Sequence, residues 1–212
     1  MSPVTTDEQR ILDQIDRGFD QQIGFTQDLV RFPSVRGAEH TIQDYVFDAL
    51  AARGYTMDRW RVTEDDIKHH PGFSPIAVSY DNAWNVVGTH RPTTTTGRSL
   101  IMNAHVDVVP PGPIDMWTYA PFDPVIRDGW MHGRGSADMK GGLAANIFAL
   151  DAIKRSGFEL AATVHVQSVV EEESTGNGTL ATSVRGYRAD AVICPEPEDD
   201  MLHAVAGARA LG

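Results

Sequence analysis

Apolar residues recur at helical spacing along the first part of the chain. Ile11, Ile15, Phe19 and Ile23 are followed by Leu29 and Phe32, the repeat of a helix with one buried face. This predicts a helix over 5–32, stopped at Pro33, because the residue before a proline is pushed out of helical geometry. A second amphipathic segment covers 41–55, with Ile42, Val46 and Leu50 on one face and Gly54 closing it. Further on the period shortens. Short apolar runs at 56–62, 83–89, 99–109, 125–133, 162–170 and 189–197 read as strands. Between them lie a helix over 138–157, with Leu143, Ile147 and Leu150 in phase, and a short helix over 179–186. Residues 65–75, 89–99 and 110–124 are rich in Pro, Gly or Thr and read as loops. Strand and helix alternate, so the expected fold is α/β, a largely parallel sheet flanked by helices.

Composition narrows the class. A chain of 212 residues can bury one substantial core. Its formal charge of −11 argues against nucleic acid or an anionic membrane as partner. Cys194 is the single cysteine, so no intramolecular disulfide framework is available. With no obvious activating neighbour, it is expected to be a buried apolar residue. The first residues, MSPVTTDEQR, have neither a basic nor an apolar stretch of the secretory kind, and no apolar run is long enough to span a bilayer. A cytoplasmic location is the expectation.

The residues that bear chemistry fall at strand ends and tight loops, where parallel sheets collect their sites. In an extended strand, residues i and i+2 share a face, so His105 and Asp107 in HVD place an imidazole beside a supporting carboxylate. Asp138 sits where the glycine loop GRGSAD turns into a helix. There it serves either as a helix cap or as a backbone-held metal ligand. Glu171, Glu172 and Glu173 follow an apolar strand and lead into a glycine turn. A solvated acidic turn is the ordinary explanation; the alternative is a cation that offsets their repulsion, one carboxylate ligating while its neighbour stays free as general base. Glu196 is held between Pro195 and Pro197 at another strand end. Each residue has a bland explanation alone. Together His105, Asp138, Glu173 and Glu196 come from successive strand ends and can converge on one crevice, which points to a metal hydrolase.

A competing signal lies in Gly176-Asn177-Gly178-Thr179-Leu180-Ala181, which has the G-x-G-x-x-A form of a dinucleotide-binding turn and would suggest an oxidoreductase. The three glutamates just before it would repel a pyrophosphate, and the helix after it is short for a crossover. No G-x-S-x-G nucleophile turn is present.

In order and spacing, five segments resemble the zinc-dependent M20 family, in its acetylornithine deacetylase and succinyl-diaminopimelate desuccinylase branch. They are HVDVVP, the Trp117 to Pro121-Phe122-Asp123-Pro124 stretch, GRGSADMKGG, VVEEESTGNGT and CPEP. The resemblance implies that His105 binds one zinc ion, with Asp107 as its catalytic partner. Asp138 would bridge two metals, and Glu196 would complete the site of the ion bound by His105. It implies Glu172 as general base and Glu173 as metal ligand, or Glu171 and Glu172 if the register slips by one. The cofactor implied is two zinc ions, with cobalt or manganese suited to the same ligands. The activity implied is hydrolysis of the amide bond of N-acyl amino acids or related small amides; a dipeptidase or carboxypeptidase of the same family is the alternative.

Family members are expected to be about twice as long, with a lid and dimerisation domain and a returning segment that brings one more histidine ligand. This chain ends at AVAGARALG. Residues 1–212 are therefore expected to be the N-terminal part of the catalytic domain, holding four of five protein ligands and leaving an apolar sheet edge open. The family homodimer would lack its dimerisation domain, and the alternative expectation is a metal-binding fragment without turnover. His203 is expected to be structural, and His40, His69, His70, His90, His132 and His165 match no ligand motif.

Overall fold

A computed structural model describes residues 4–198; the expectation for His203 lies outside them. The first helix, α1 (Thr6–Val30), opens with a reciprocal cap: the Glu8 backbone N–H donates to Thr5 Oγ1 and the Thr5 N–H to the Glu8 carboxylate. It lies along α4 (Gly142–Arg155). The contact face runs through Gly18, over which the Arg155 guanidinium packs, so Phe19 is displaced to the flank and left 52% exposed. Spacing had placed it on the buried face. Helix α2 (His40–Ala51) buries Ile42, Val46 and Leu50 completely, as expected, and Gly54 turns the chain with φ +82.

Five strands form one sheet: β1 (Thr56–Arg61), β2 (Trp84–His90), β3 (Leu100–His105), β6 (Val164–Val169) and β7 (Ala191–Ile193), in the order β1-β2-β6-β3-β7. The α/β class holds. Strands β6, β3 and β7 run parallel, and β2 and β1 extend that half antiparallel. The two faces differ in chemistry. Val86, Met102, Ala104, Val164 and Val166 belong to the apolar core shared with α2 and α4. On the other face, Asn103 donates to Gln167 (2.9 Å), and Thr182 of α5 (Asn177–Val184) donates to the same oxygen. The outer side of β7 is unpaired among the described residues, and Val192 and Ile193 on it are exposed.

Three local readings change. Residues 125–133, read as one strand, form a hairpin of β4 (Val125–Arg127) and β5 (Trp130–His132). Asp128 and Gly129 both take positive φ (52° and 82°), the geometry of a tight hairpin turn. The loop over 65–75 begins inside a one-turn helix, α3 (Glu64–Ile67). The helix expected from 138 starts later, at Gly142, after an irregular turn over Ser136–Gly141.

Candidate metal centre

The parallel half of the sheet sets the site. His105 is the last residue of β3, the acidic turn follows β6, and Glu196 follows β7. All three leave the same end of the sheet, because their strands point the same way.

His105 is almost fully buried. Its Nδ1 lies 2.9 Å from the Asp107 carbonyl oxygen, an arrangement that fixes a proton on Nδ1 and turns Nε2 outward toward the carboxylates. Nε2 faces Asp138 Oδ1 at 3.1 Å, Glu172 Oε2 at 3.7 Å and Glu196 Oε2 at 3.8 Å. Two sets of side chains hold ligand atoms within 4.8 Å of one another: His105, Asp138 and Glu173, and His105, Glu172 and Glu196. The structure thus brings together His105, Asp138, Glu172, Glu173 and Glu196.

Asp107 is completely buried and works from behind. Its two carboxylate oxygens accept the backbone N–H groups of Glu172 and Glu173, each at 3.1 Å. It therefore ties the end of β3 to the acidic turn and sends the next two side chains toward His105.

Glu171 belongs to neither set. It takes φ +65 and turns inward, where its carboxylate accepts from Thr175 Oγ1 (2.8 Å), Tyr80 (3.2 Å) and Ser174 (3.2 Å). Its carbonyl oxygen accepts the N–H groups of Thr175 and Gly176. Asn177 donates to the same Tyr80 hydroxyl and to the Ser74 carbonyl, so loop 74–80 braces the turn.

Asp138 is not a helix cap. It adopts φ −111, ψ 101, three residues before Gly141, the capping position of α4, and its half-exposed carboxylate is turned to His105 instead. The turn is anchored from inside. The His105 N–H meets Met139 Sδ, and the fully buried Lys140 reaches the Phe32 carbonyl at 2.9 Å. Gly142 lets the start of α4 lie against Pro195, whose carbonyl oxygen would sit 2.5 Å from any Cβ there. That close approach carries Glu196 to the site. Cys194, expected to be buried, is exposed: it follows the edge strand, which nothing covers among the described residues.

Crowding of acids shows in their proton affinities. Burial opposes protonation of His105, but the Asp107, Glu196 and Glu172 carboxylates outweigh it and push its pKa up to about 9. Burial lifts Glu196 to about 7, with Glu172 and Asp138 adding to the rise against the pull of His105. Glu172 and Glu173 are raised as well, chiefly by burial. Groups that hold protons this firmly mark a site short of positive charge. Carboxylate oxygens around a buried imidazole suit a divalent cation such as zinc or manganese.

Sequence reasoning missed several supports. Lys140 stands in the quoted DMKGG segment without a role, and Asn177 is the middle residue of the supposed nucleotide turn. Gly178 in that turn serves packing: a Cβ there would lie 1.9 Å from the Val170 carbonyl oxygen. Glu39, buried with neither carboxylate oxygen hydrogen-bonded, is pushed up to about 8 chiefly by burial, and no sequence signal marked it.

A histidine and converging carboxylates at the ends of parallel strands form a candidate metal centre. The chain belongs to the peptidase family M20/M25/M40, whose profile covers residues 101–207. It is 35% identical over 176 residues to the N-formyl-4-amino-5-aminomethyl-2-methylpyrimidine deformylase of Bacillus subtilis (strain 168), covering 82% of this chain and 37% of that protein. It is 32% identical over 182 residues to the succinyl-diaminopimelate desuccinylase of Methylobacterium nodulans, covering 82% of this chain and 42% of that one. The fold is similar to human carnosine dipeptidase 1, with a TM-score of 0.66 at 20% identity over 83% of this chain and 37% of that one. The chain thus spans about two-fifths of the length of these curated relatives. Among the described residues no helix is long and apolar enough to cross a membrane.

Proposed function

We propose that this chain forms the first part of the catalytic domain of a metal-dependent hydrolase that cleaves amide bonds of small N-acyl compounds, the deacylase class. One observation carries the reading: His105 Nε2 faces Asp138, Glu172 and Glu196 at 3.1–3.8 Å while Asp107 pins the acidic turn behind them. The family and the deformylase and desuccinylase relatives support the reaction class.

In this proposal His105, Asp138, Glu173 and Glu196 hold two zinc ions, with cobalt or manganese as substitutes. When bound, zinc lowers the pKa of water and polarises the acyl oxygen. Glu172 takes the proton from the attacking water and passes it to the leaving amine, a task its raised pKa suits. Asp107 holds the His105 ring and the backbone beneath Glu172 and Glu173. Glu171, turned inward, is assigned to the turn rather than to proton transfer.

A second reading rests on the share of the relatives that is covered: the chain binds metal, but turnover needs further sequence. Two measurements decide. Metal content by mass spectrometry, after zinc loading and gel filtration, is expected to fall in His105→Ala and Glu173→Ala; zinc equal to the mutants' level would reject the ligand assignment. Deformylation and desuccinylation assays on this chain beside a C-terminally extended one then separate the two readings, since equal turnover by both removes the need for more sequence.

A further inference from the structure

At the opposite end of β6 from the acidic turn lies an open cavity of about 570 Å³, lined by Asp58, Arg91, His165, Arg185, Gly186, Tyr187 and Arg188. Its charge is opposite to that of the molecule as a whole, which carries −11. The one acid in the wall is already engaged: Asp58 accepts two bonds from Arg185 (2.8 and 2.9 Å) and one from Tyr187 (2.7 Å). Among the described residues two further guanidinium charges have no counter-ion. Arg188 spends one nitrogen on the carbonyls of Ser183 and Tyr187, which are neutral. Arg91 makes no hydrogen bond or ion pair among the described residues. The Nδ1 of His165 is taken by Thr89 at 2.9 Å. The pKa of His165 is held down first by burial and then by Arg91, as for an imidazole beside surplus positive charge.

Arg91 and Arg188 are exposed, so water screens their repulsion only in part, and an anion held between them would offset the rest. Planar guanidinium forks match the oxygens of a phosphate or carboxylate. Two unmatched positive charges suit a phosphate monoester, which carries about −1.5 to −2 at neutral pH, better than a single carboxylate. The cavity volume exceeds a bare phosphate and falls in the range of small-molecule sites. We infer that the cavity between Arg91, Arg188 and His165 is a binding site for a small phosphorylated molecule, separate from the metal centre.

The test titrates inorganic phosphate into the chelator-treated, metal-free chain, followed by calorimetry. Without metal, the carboxylates at the other end of the sheet repel phosphate, so saturable binding reports the arginine cavity. Arg91→Ala removes a side chain without hydrogen-bond partners, so its fold should survive, and urea unfolding verifies this. Arg188→Ala is the second variant. Expected are saturable binding of one phosphate, affinity at least tenfold weaker in each variant, and acetate at least tenfold weaker than phosphate on the unmutated chain. Absence of saturable binding, or binding unchanged in both variants, overturns the site; acetate binding as tightly as phosphate overturns the phosphate assignment.

Discussion

Replacing Gly142 by alanine sets two effects of opposite sign against each other. Gly142 takes φ −63, ψ −43 at the start of α4, ordinary helical values that alanine adopts without strain. On propensity alone the substitution stabilises by about 0.8–1 kcal/mol. The surroundings oppose it: the new methyl would lie 2.5 Å from the Pro195 carbonyl oxygen, 2.9 Å from its Cγ and 3.1 Å from its Cβ. A carbon–oxygen contact settles near 3.3 Å, so the segment must open by roughly 0.8 Å. Overpacking of that kind costs about 1–3 kcal/mol, enough to cancel or exceed the propensity gain. The easiest relief is movement of the Pro195 segment, because it follows the exposed edge strand β7. Glu196, the next residue, then withdraws from His105. Gly142→Ala is therefore expected to be no more stable than the parent in urea and to bind zinc about 10–100-fold more weakly, the usual loss when a ligand's support is disturbed. Zinc competition against a fluorescent chelator measures the second quantity. A variant about 1 kcal/mol more stable, with unchanged zinc affinity, would refute the close packing of α4 on the Glu196 segment.

Other predictions concern the turn and the charge cluster. Asp107→Asn keeps one acceptor oxygen and sets an NH2 against a backbone N–H, leaving a buried donor unsatisfied at about 1–3 kcal/mol; urea midpoints and zinc titration should both drop, and a variant with parental values of each would remove Asp107 from its supporting role. Gly178→Ala places a methyl 1.9 Å from the Val170 carbonyl oxygen and should cost more than about 4 kcal/mol, read as loss of soluble protein or of the cooperative melt; a parental melting temperature contradicts the packing of α5 there. The pKa of Glu196 is raised to about 7 and that of Glu39 to about 8, so between pH 5 and 7 the folded chain holds more protons than the unfolded one. The metal-free chain should then lose stability as pH rises through that window. His105, raised to about 9, extends the loss above pH 7, whereas Lys140, lowered to about 7, works against it there. Melting temperatures without metal at pH 5.5 and 7 give the sign, and a higher value at pH 7 would contradict it. Zinc affinity should move the other way, weakening below pH 7 as His105 and Glu196 keep their protons.

Much of this arrangement is visible in the sequence, and the exceptions share a cause. Helix α2 and the core face of α4 follow from spacing alone, because each buries one regular stripe. The strand ends bearing His105, Glu173 and Glu196 follow from apolar runs broken by charge. What spacing does not carry is contact between distant segments. Phe19 has the right period, but the face of α1 is decided by Arg155 lying over Gly18. Asp138 has the right position for a cap, yet the Ser136–Gly141 turn intervenes and frees its carboxylate. The hairpin at Asp128-Gly129 was legible in principle, since that dipeptide is a strong turn signal. The antiparallel placement of β2 between β1 and β6 is a matter of topology, on which the residues of β2 are silent.

The three consecutive glutamates show how one local sequence yields two placements. Neighbouring carboxylates in a strand would alternate between faces, and a solvated turn would leave all three free. Here the positive φ of Glu171 sends the first carboxylate into the interior, where one of its oxygens accepts from Tyr80, Ser174 and Thr175. Asp107 then fixes the next two backbone N–H groups, so Glu172 and Glu173 emerge on the same side as His105. Repulsion among Asp138, Glu172, Glu173 and Glu196 is the consequence. The hydrogen bonds of Asp107 and Glu171 on the two sides of the turn hold it in place. A scaffold that keeps four carboxylates around one imidazole, and makes His105 and Glu196 hold protons until pH 7 or above, is arranged for a cation. The charge that destabilises the metal-free turn is the same charge that the proposed function uses to bind metal.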